Sequence, residues 1–434
     1  MLGCTMALRL AEAGFDVTVF EAGDHPGGLA APWELDTPGT NVTWDRHYHV
    51  MLRTDDALRN LLSELELDSK LHWGDTCTGY FSNGRLSPMS SVNDFIRLPG
   101  LSLISKARLA ATIAVGSHTR NPERLEQMSV VDWCTRWSGR AVFEQFWLPL
   151  LRSKLGDAWQ ETSAAFLWAT IQRLTRARRH GLGGEQFGYA PGGYASVLAC
   201  LVDRLADRGA RVITGTSVTR VAGTSKNRLV LSFKNSPDEI FDHVVVTTDA
   251  PTADAICAGL SDSERSVLRG IRYQGIVCAS LLLDAPLSPY YLTYLLNDAP
   301  FTAIVEMTAL VHPAELGEHH LVYLPRYISP DSAMFDESDD AIRARFVAGL
   351  QGIHRQFRES SILAFRVSRV RRVFPIPTRG YSQRVPAFDA TVPGLHLVGS
   401  AQIVNGTLNV NETIGLAEKA AKHLLAAQKD VNNR

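Results

Sequence analysis

Three features near the beginning of the chain have the residue types and spacing that dinucleotide binding needs. Gly3 occupies the position where a helix must pack closely on a strand, as the third glycine of a G-x-G-x-x-G fingerprint does. Glu21 follows at the distance where an acidic side chain binds a ribose hydroxyl. Gly27 and Gly28 form a pair whose missing side chains let the backbone approach a bulky group. On their own these residues fit a nucleotide site or an ordinary helix–strand unit equally well.

A helix over residues 3–14 and a buried strand over 16–20 must position these groups. A βαβ unit also needs a strand before the helix, and the first two fingerprint glycines would fall directly before Met1. We therefore expect a short in-frame extension that carries an apolar strand and G-x-G. We also expect the chain as written to fold poorly and to bind its cofactor poorly, because a central strand of a parallel sheet would be missing.

Segments of the same α/β type recur in the middle and at the end of the chain. "APGGYASVLACLVDRL" (190–205) predicts a glycine turn and a helix, and "TGTSVTRV" (214–221) and "VVVTTDAP" (244–251) predict strands. At the end, a strand over 395–398 leads into a loop rich in glycine and asparagine and then into a helix. The predicted domains are therefore discontinuous: 1–70, 190–270 and 375–434 form one, and 71–189 and 271–374 form the other.

The run from Gly3 to Ala30 resembles the N-terminal signature of FAD-dependent oxidoreductases of the amine oxidase, protoporphyrinogen oxidase and phytoene desaturase superfamily. "LVGSAQIVNGTLNVNETIGLAEKAAKHLL" (397–425) resembles the C-terminal match of the same superfamily. The resemblance implies the α/β fold class, with an FAD-binding Rossmann-like domain of the glutathione reductase type and an inserted α+β substrate domain. The sequence departs from the pattern at Ser400, where an aspartate is usual, and around the glycine pair, where His25 and Leu29-Ala30 stand in place of basic residues.

FAD is the cofactor that this resemblance implies. Val218 would carry a backbone contact to adenine, and the N-terminus of the last helix would point at the flavin, with its polar residues as caps or flavin contacts. "TWDRHYHVML" (43–52) occupies the place of a strand that runs past the flavin. The predicted FAD-contacting residues are Gly3, Glu21, Ala22, Gly27, Gly28, Leu29, His47, Val218, Thr248, Gly399, Ser400, Asn409, Asn411 and Thr413.

The function that the resemblance implies is dehydrogenation of a C–N or C–C bond of a small organic substrate. Hydride would pass to flavin N5, and oxygen or another acceptor would reoxidise the flavin. Two alternatives stay open: a non-redox flavoenzyme, such as an isomerase similar to UDP-galactopyranose mutase, and a flavin-free scaffold. No side chain is identified as catalytic. The predicted substrate-site residues are His49, Trp168, Tyr189, Tyr194, Tyr294, Glu306 and Arg369.

A group of arginines lies on the probable strand "RVSRVRRVF" (366–374). Because successive side chains of a strand point to opposite faces, Arg366 and Arg372 should lie on one face and Arg369 and Arg371 on the other. The strand is then either a solvated face or a site that captures a carboxylate or phosphate of the substrate.

Composition limits the partners. A net charge of −1 gives no general attraction to nucleic acid, and 6 scattered cysteines without a C-x-x-C pair support neither zinc nor a disulfide framework. We expect a cytoplasmic protein with a small-molecule substrate, because the N-terminus lacks the pattern of a signal peptide. The apolar stretch 93–116 predicts either a packed helix pair or a peripheral contact with a membrane surface.

Overall fold

The computed structural model describes the chain except for residues 38, 91–93, 95–96, 98–99, 178–184, 297–298 and 433–434, and except for the side chains of 40, 177 and 428–432. Its described α-helices are α1 Leu2–Glu12, α2 Asp56–Glu64, α3 Leu103–His118, α4 Pro122–Glu126, α5 Val130–Ser138, α6 Arg140–Val142, α7 Leu148–Leu155, α8 Ala164–Ala177, α9 Gly193–Asp207, α10 Ala250–Ile256, α11 Asp262–Gly270, α12 Asp339–Ile353 and α13 Val410–Asn432.

The strands follow in chain order. They are β1 Thr18–Phe20, β2 Pro32–Thr37, β3 Thr40–Asp45, β4 His72–Thr76, β5 Thr78–Ser82, β6 Arg85–Pro88, β7 Glu185–Tyr189, β8 Arg211–Ile213, β9 Val218–Gly223, β10 Leu229–Phe233, β11 Glu239–Phe241, β12 Val244–Val246, β13 Tyr273–Leu283, β14 Leu292–Leu295, β15 Ala303–Glu306, β16 His320–Ile328, β17 Ile362–Pro375 and β18 Leu395–Leu397.

The first helix and strand form as the sequence predicts. α1 buries Cys4, Met6 and Leu8, and the chain leaves the helix through Gly14, whose φ of +91° favours glycine. β1 then pairs in parallel with β8, and β12 pairs in parallel with β18. The chain therefore brings its first, middle and last α/β segments together, as the fold class requires.

The largest sheet has seven strands in the order β17-β13-β16-β15-β14-β5-β6. β13 is buried along its whole length, because both faces of the sheet are covered. One face carries Ile276, Cys278 and Tyr323 and packs against the aromatic residues of the helices between β6 and β7. The other face carries Val277 and packs against Phe346 of α12. We call these the tyrosine face and the α12 face.

The insertion between β6 and β7 is mainly helical. A π-helical turn, Phe143–Trp147, lies directly before α7, and Trp133 and Trp147 are buried in the same core as the tyrosine face. Within the described residues, no helix is long and apolar enough to cross a membrane. Part of the stretch 93–116 lies outside the described residues, and the rest includes α3.

A turn at Asn83 and Gly84, with φ values of +50° and +73°, joins β5 and β6 as a hairpin. The strand predicted over 43–52 ends earlier, because β3 stops at Asp45 and residues 46–50 continue as an irregular segment.

The arginines of β17 lie on two faces, as their alternation predicts. Arg366 donates to the backbone oxygen of Glu34, and Arg372 pairs with Asp249 on the same side. On the other side, Arg369 and Arg371 pair with carboxylates at the start of α12 and just before it. These two partners are Asp339 and Asp336. All four guanidinium groups therefore already have protein partners, which argues against capture of a substrate anion by this strand.

Candidate cofactor and substrate site

The glycine pair forms a tight turn that no other residue fits well. Gly27 has a φ of +123°, and a Cβ atom there would lie 2.6 Å from Cδ1 of Leu198. Gly28 has a φ of +62° and would place its Cβ in open space. The short 3₁₀ turn Gly28–Ala30 follows. The backbone is thus exposed on one side of the turn, as a close approach by a bulky cofactor would require.

The other N-terminal candidates lie beside the ends of β1, β9 and β12. Gly3 packs on β12, because its Cβ would lie 3.2 Å from Oγ1 of Thr247. Glu21 follows β1, and its carboxylate accepts a hydrogen bond of 2.7 Å from the N–H of Gly23. Ala22 follows Glu21, and Val218 begins β9. Their contacts with FAD remain predictions.

His47 connects the glycine turn to the large sheet. Its Nδ1 lies 3.3 Å from the carbonyl oxygen of Leu29, and its Nε2 lies 3.1 Å from Oγ of Ser368 in β17. A carbonyl only accepts, so Nδ1 carries the proton and Nε2 accepts from the hydroxyl. Burial lowers the pKa of His47 to about 3, so the ring is neutral at neutral pH. The protein occupies both ring nitrogens, which makes His47 a link between the turn and the sheet.

Asp45 and His49 lie on the same segment beside the N-terminus of α9. The Asp45 carboxylate is buried and accepts a hydrogen bond of 2.8 Å from the N–H of Tyr194. His49 packs edge-on against the Tyr194 ring, and its Nδ1 lies 3.7 Å from Asp45. The negative charge on Asp45 is favourable here, because it faces the positive end of the helix dipole.

The C-terminal loop approaches the same region. Gly399 passes so close to β12 that a Cβ would lie 2.7 Å from the carbonyl oxygen of Thr248. Ser400 begins the short 3₁₀ turn that follows. Asn409 caps α13, since its Oδ1 accepts from the N–H of Glu412 at 3.0 Å.

The two other polar residues predicted as caps of α13 lie inside its first turn. Oδ1 of Asn411 accepts from the N–H of Leu58 in α2 at 3.1 Å, and the Thr413 hydroxyl donates to the backbone oxygen of Asn409. Asn409 is therefore the residue that acts as the cap, and Asn411 joins the last helix to α2.

These groups fit FAD. Nε of Arg46 and Nδ1 of His49 are buried without a hydrogen-bond partner in the described structure, beside the segment that contacts the glycine turn. Buried polar groups are normally satisfied. Unpaired polar atoms and exposed glycine backbone are what a site for a large polar cofactor provides.

Several predicted substrate residues lie in the core of the tyrosine face. Tyr294 of β14 packs against this core, as does Trp168 of α8, whose indole N–H donates to the Thr119 carbonyl. Tyr189 stacks on His72 and accepts from the N–H of His312, beside a cavity of about 520 Å³. Tyr194 belongs to the neighbouring core around α9, where its hydroxyl is buried without a partner in the described structure.

Glu306 and Arg369 lie on the α12 face of the large sheet, opposite the tyrosine face. Glu306 pairs in register with Val322 and Arg369 with Val277, and both valines belong to the α12 face. The Glu306 carboxylate accepts from two backbone N–H groups of the loop after β13, and burial raises its pKa to about 7. Arg369 pairs with Asp339. These two side chains point away from the tyrosine face, so the structure does not bring them together with the other predicted substrate residues.

Sequence reasoning missed the roles of Asp45, Arg46 and Ser368. Asp45 and Arg46 stand in the quoted stretch "TWDRHYHVML", where two charged residues precede two histidines, and this cluster of polar residue types is the signal that the sequence offers. Nothing in the sequence points to Ser368, because only the pairing of β13 with β17 brings it to His47.

Comparison with known proteins gives matches that extend over almost the whole chain. The family model for flavin-containing amine oxidoreductases matches residues 3–425. A candidate protoporphyrinogen oxidase from Exiguobacterium sp. 255-15 has a similar structure, with a TM-score of 0.73, 18% identity and coverage of 98% of this chain and 96% of that one. Putrescine oxidase bound to putrescine has a TM-score of 0.70 and 14% identity, with 98% of this chain and 97% of that chain covered. Reduced UDP-galactopyranose mutase has a TM-score of 0.74 and 16% identity, with 98% of this chain and 94% of that chain covered. At these identities the structural matches support the fold.

Proposed function

The chain belongs to the family of flavin-containing amine oxidoreductases, and from that premise we propose that it dehydrogenates a C–N or C–C bond of a small organic substrate. The cofactor is FAD. When bound, FAD accepts the hydride that leaves the substrate carbon, and oxygen or another acceptor then reoxidises it. The chain's own residues must hold the substrate, exclude water and handle protons.

The observation that carries this proposal is the buried tyrosine face opposite segment 46–50. Tyr48 of that segment hydrogen-bonds Tyr327 of β16 through their hydroxyls at 2.8 Å. The hydroxyl of Tyr291 is buried without a partner in the described residues. Burial raises the pKa values of all three phenols, so they stay neutral. An apolar surface with a few neutral polar groups suits a small organic molecule that must react away from water.

The glycine turn and the tyrosine face are held at a fixed separation by His47. Because its two hydrogen bonds reach Leu29 on one side and Ser368 on the other, movement of the turn away from the sheet would break one of them. A fixed separation is useful for hydride transfer, since the rate depends steeply on the distance between the reacting atoms.

The isomerase alternative receives less support from the charges. A nucleotide sugar diphosphate needs cationic groups free to bind its phosphates. The arginines of β17 that suggested such a site are paired with carboxylates or backbone oxygens of the protein. The likeness to UDP-galactopyranose mutase is one of fold.

The decisive experiment is anaerobic mixing of the FAD-loaded protein with panels of amines, alcohols and porphyrinogens. We expect one class to bleach the visible flavin absorbance without added reductant, and air to restore it. Activity on a sugar nucleotide that appears only after reduction with dithionite would instead establish the isomerase. A protein that takes up no FAD at all would favour the scaffold.

The predicted membrane contact of 93–116 can be tested separately. Leu103 and Ile104 at the start of α3 are 76% and 74% exposed, which is high for large apolar side chains. If this segment contacts a membrane surface, the double change Leu103→Asp and Ile104→Asp should abolish sedimentation with anionic vesicles. If the double variant and the unchanged protein sediment equally with the vesicles, or if the unchanged protein does not sediment with them, the membrane contact is contradicted.

A further inference from the structure

Lys154, near the end of α7, has an unusual environment for a lysine. Its Nζ lies 3.8 Å from the ring centroid of Tyr327 and 5.3 Å from that of Phe374. Among the described residues it has neither a hydrogen bond nor an ion pair. Burial lowers its pKa to about 7, and no neighbouring charge contributes to that shift. The two rings attract a cation, but an amine without a carboxylate partner remains costly to bury, and this cost weakens its hold on a proton.

The path of the chain turns this side chain inward. The π-helical turn Phe143–Trp147 adds one residue to a turn and so shifts the faces of α7 that follows it. Such turns are rare and are frequent at functional sites. Arg152, in the same last turn of α7, is exposed and lies over the ring of Trp159. Lys154 instead contacts the core rings, and α7 ends at the next residue, Leu155, with Gly156 at a φ of +55° as its C-cap.

The groups around Lys154 connect it to the proposed substrate site. Tyr327 bonds Tyr48, and Tyr48 directly follows His47, which contacts the glycine turn. The titratable groups that face the amine are the phenol of Tyr327 from β16 and, beyond it, the phenol of Tyr48 and the thiol of Cys278 from β13. Burial raises the pKa of each, so all three are neutral near pH 7.

The remaining neighbours add no charge close to the amine. β14 contributes Tyr294, whose pKa is also raised by burial. The 3₁₀ turn that follows α7 contributes Asp157, which is exposed. Lys154 is therefore an isolated amine in a region whose other titratable groups are uncharged.

We propose that Lys154 is a catalytic residue that takes a proton from an N–H or O–H group on the reacting carbon of the substrate. This inference rests on the proposed function and makes the substrate class an amine or an alcohol. The N–H or O–H bond breaks, its electron pair stays on the substrate heteroatom, and the neutral lysine amine becomes an ammonium. The hydrogen of the adjacent C–H bond leaves with both electrons to FAD, which is the oxidant. The substrate becomes an imine or a carbonyl compound.

The amine can be tested without any substrate. The FAD-loaded protein is labelled with trace acetic anhydride over a range of pH, and each lysine is quantified by mass spectrometry after denaturation. A Lys154 that is accessible and neutral should reach half its maximal labelling near pH 7, about three pH units below the ordinary pKa of a lysine side chain. Absent labelling, or a midpoint near that ordinary value, would overturn the proposal.

Variants test the proton transfer itself. Lys154→Met should lower kcat by about 10²–10⁴-fold and remove the acidic limb of the kcat profile near pH 7. Lys154→Arg should not restore activity, because a guanidinium stays protonated. Arg152→Met is the matched control on the same helical turn and should behave like the unchanged protein. FAD content and visible spectrum should stay normal in all three.

The outcomes separate the two proposals. If Lys154→Met keeps the acidic limb and the rate, the catalytic role is wrong while the oxidoreductase stands. If no amine or alcohol reduces the flavin but a C–C substrate does, the substrate class and the role of Lys154 are both wrong. If only the reduced enzyme acts, on a sugar nucleotide, the proposed function itself has failed.

Discussion

The imidazole of His47 accepts a hydrogen bond from the Ser368 hydroxyl at 3.1 Å, across more than 300 residues of chain. This contact joins the irregular segment after β3 to the strand that lies at the edge of the seven-stranded sheet. His47 is buried and has a pKa of about 3 in the folded protein, against about 6.5 when exposed. The unfolded chain therefore binds a proton between these values that the folded protein does not.

That proton makes stability depend on pH with a known sign. As pH falls from about 6.5 toward 3, the free energy of unfolding should fall by up to about 1.4 kcal/mol per pH unit on account of His47. His47→Gln should remove this contribution, which amounts to about 2 kcal/mol between pH 7 and pH 5. Urea unfolding at both pH values measures it. Exposed His25→Gln is the control, and an unchanged pH slope in His47→Gln would contradict the assignment.

The glycine pair gives a matched test of the turn. Gly27→Ala combines a strained φ of +123° with a clash of 2.6 Å against Leu198, whereas Gly28→Ala has only a φ of +62° to oppose it. We expect Gly28→Ala to cost about 1–2 kcal/mol. Gly27→Ala should cost more and should lower FAD content after purification. Equal FAD content and equal unfolding midpoints for the two variants would argue against a tight turn at Gly27.

Glu306 should show the opposite dependence on pH from His47. Its carboxyl has a pKa of about 7 in the folded protein, against about 4.5 when exposed. The folded protein then binds the extra proton, so stability is full below about pH 4.5 and is lost as pH rises through about 7. Glu306→Gln should flatten this loss, which reaches about 3 kcal/mol. Chemical unfolding at pH 5 and pH 8 measures it, and kcat should stay unchanged because the side chain lies on the α12 face.

A different kcat in Glu306→Gln, with normal FAD content, would return Glu306 to the list of substrate-site residues. The exposed Glu359, which pairs with Arg343 at the surface, provides the control through Glu359→Gln. That change should leave both the pH slope and the rate as they are, because surface ion pairs contribute little.

The fold could be predicted from local patterns, and the substrate site only in part. Helix α1, strand β1 and the glycine turn follow from residues close together in sequence, and Asn409 was recognised as a cap because caps are local. The faces of Glu306 and Arg369 depend on which strands pair and in which register, and one residue of shift reverses a face. The pairing of β13 with β17 contains two such irregularities. Lys154 was missed because a π-helical turn sets its direction.

Asp45 provides the last prediction, because it is a buried carboxylate that caps a helix. It is 3% exposed and accepts from the N–H of Tyr194 in the first turn of α9. Asp45→Asn keeps an acceptor oxygen and should cost about 1 kcal/mol, whereas Asp45→Ala leaves a buried N–H unpaired and should cost about 2–4 kcal/mol. Unfolding midpoints at neutral pH give both values. Equal unfolding midpoints for the two variants would contradict the capping role of the Asp45 carboxylate.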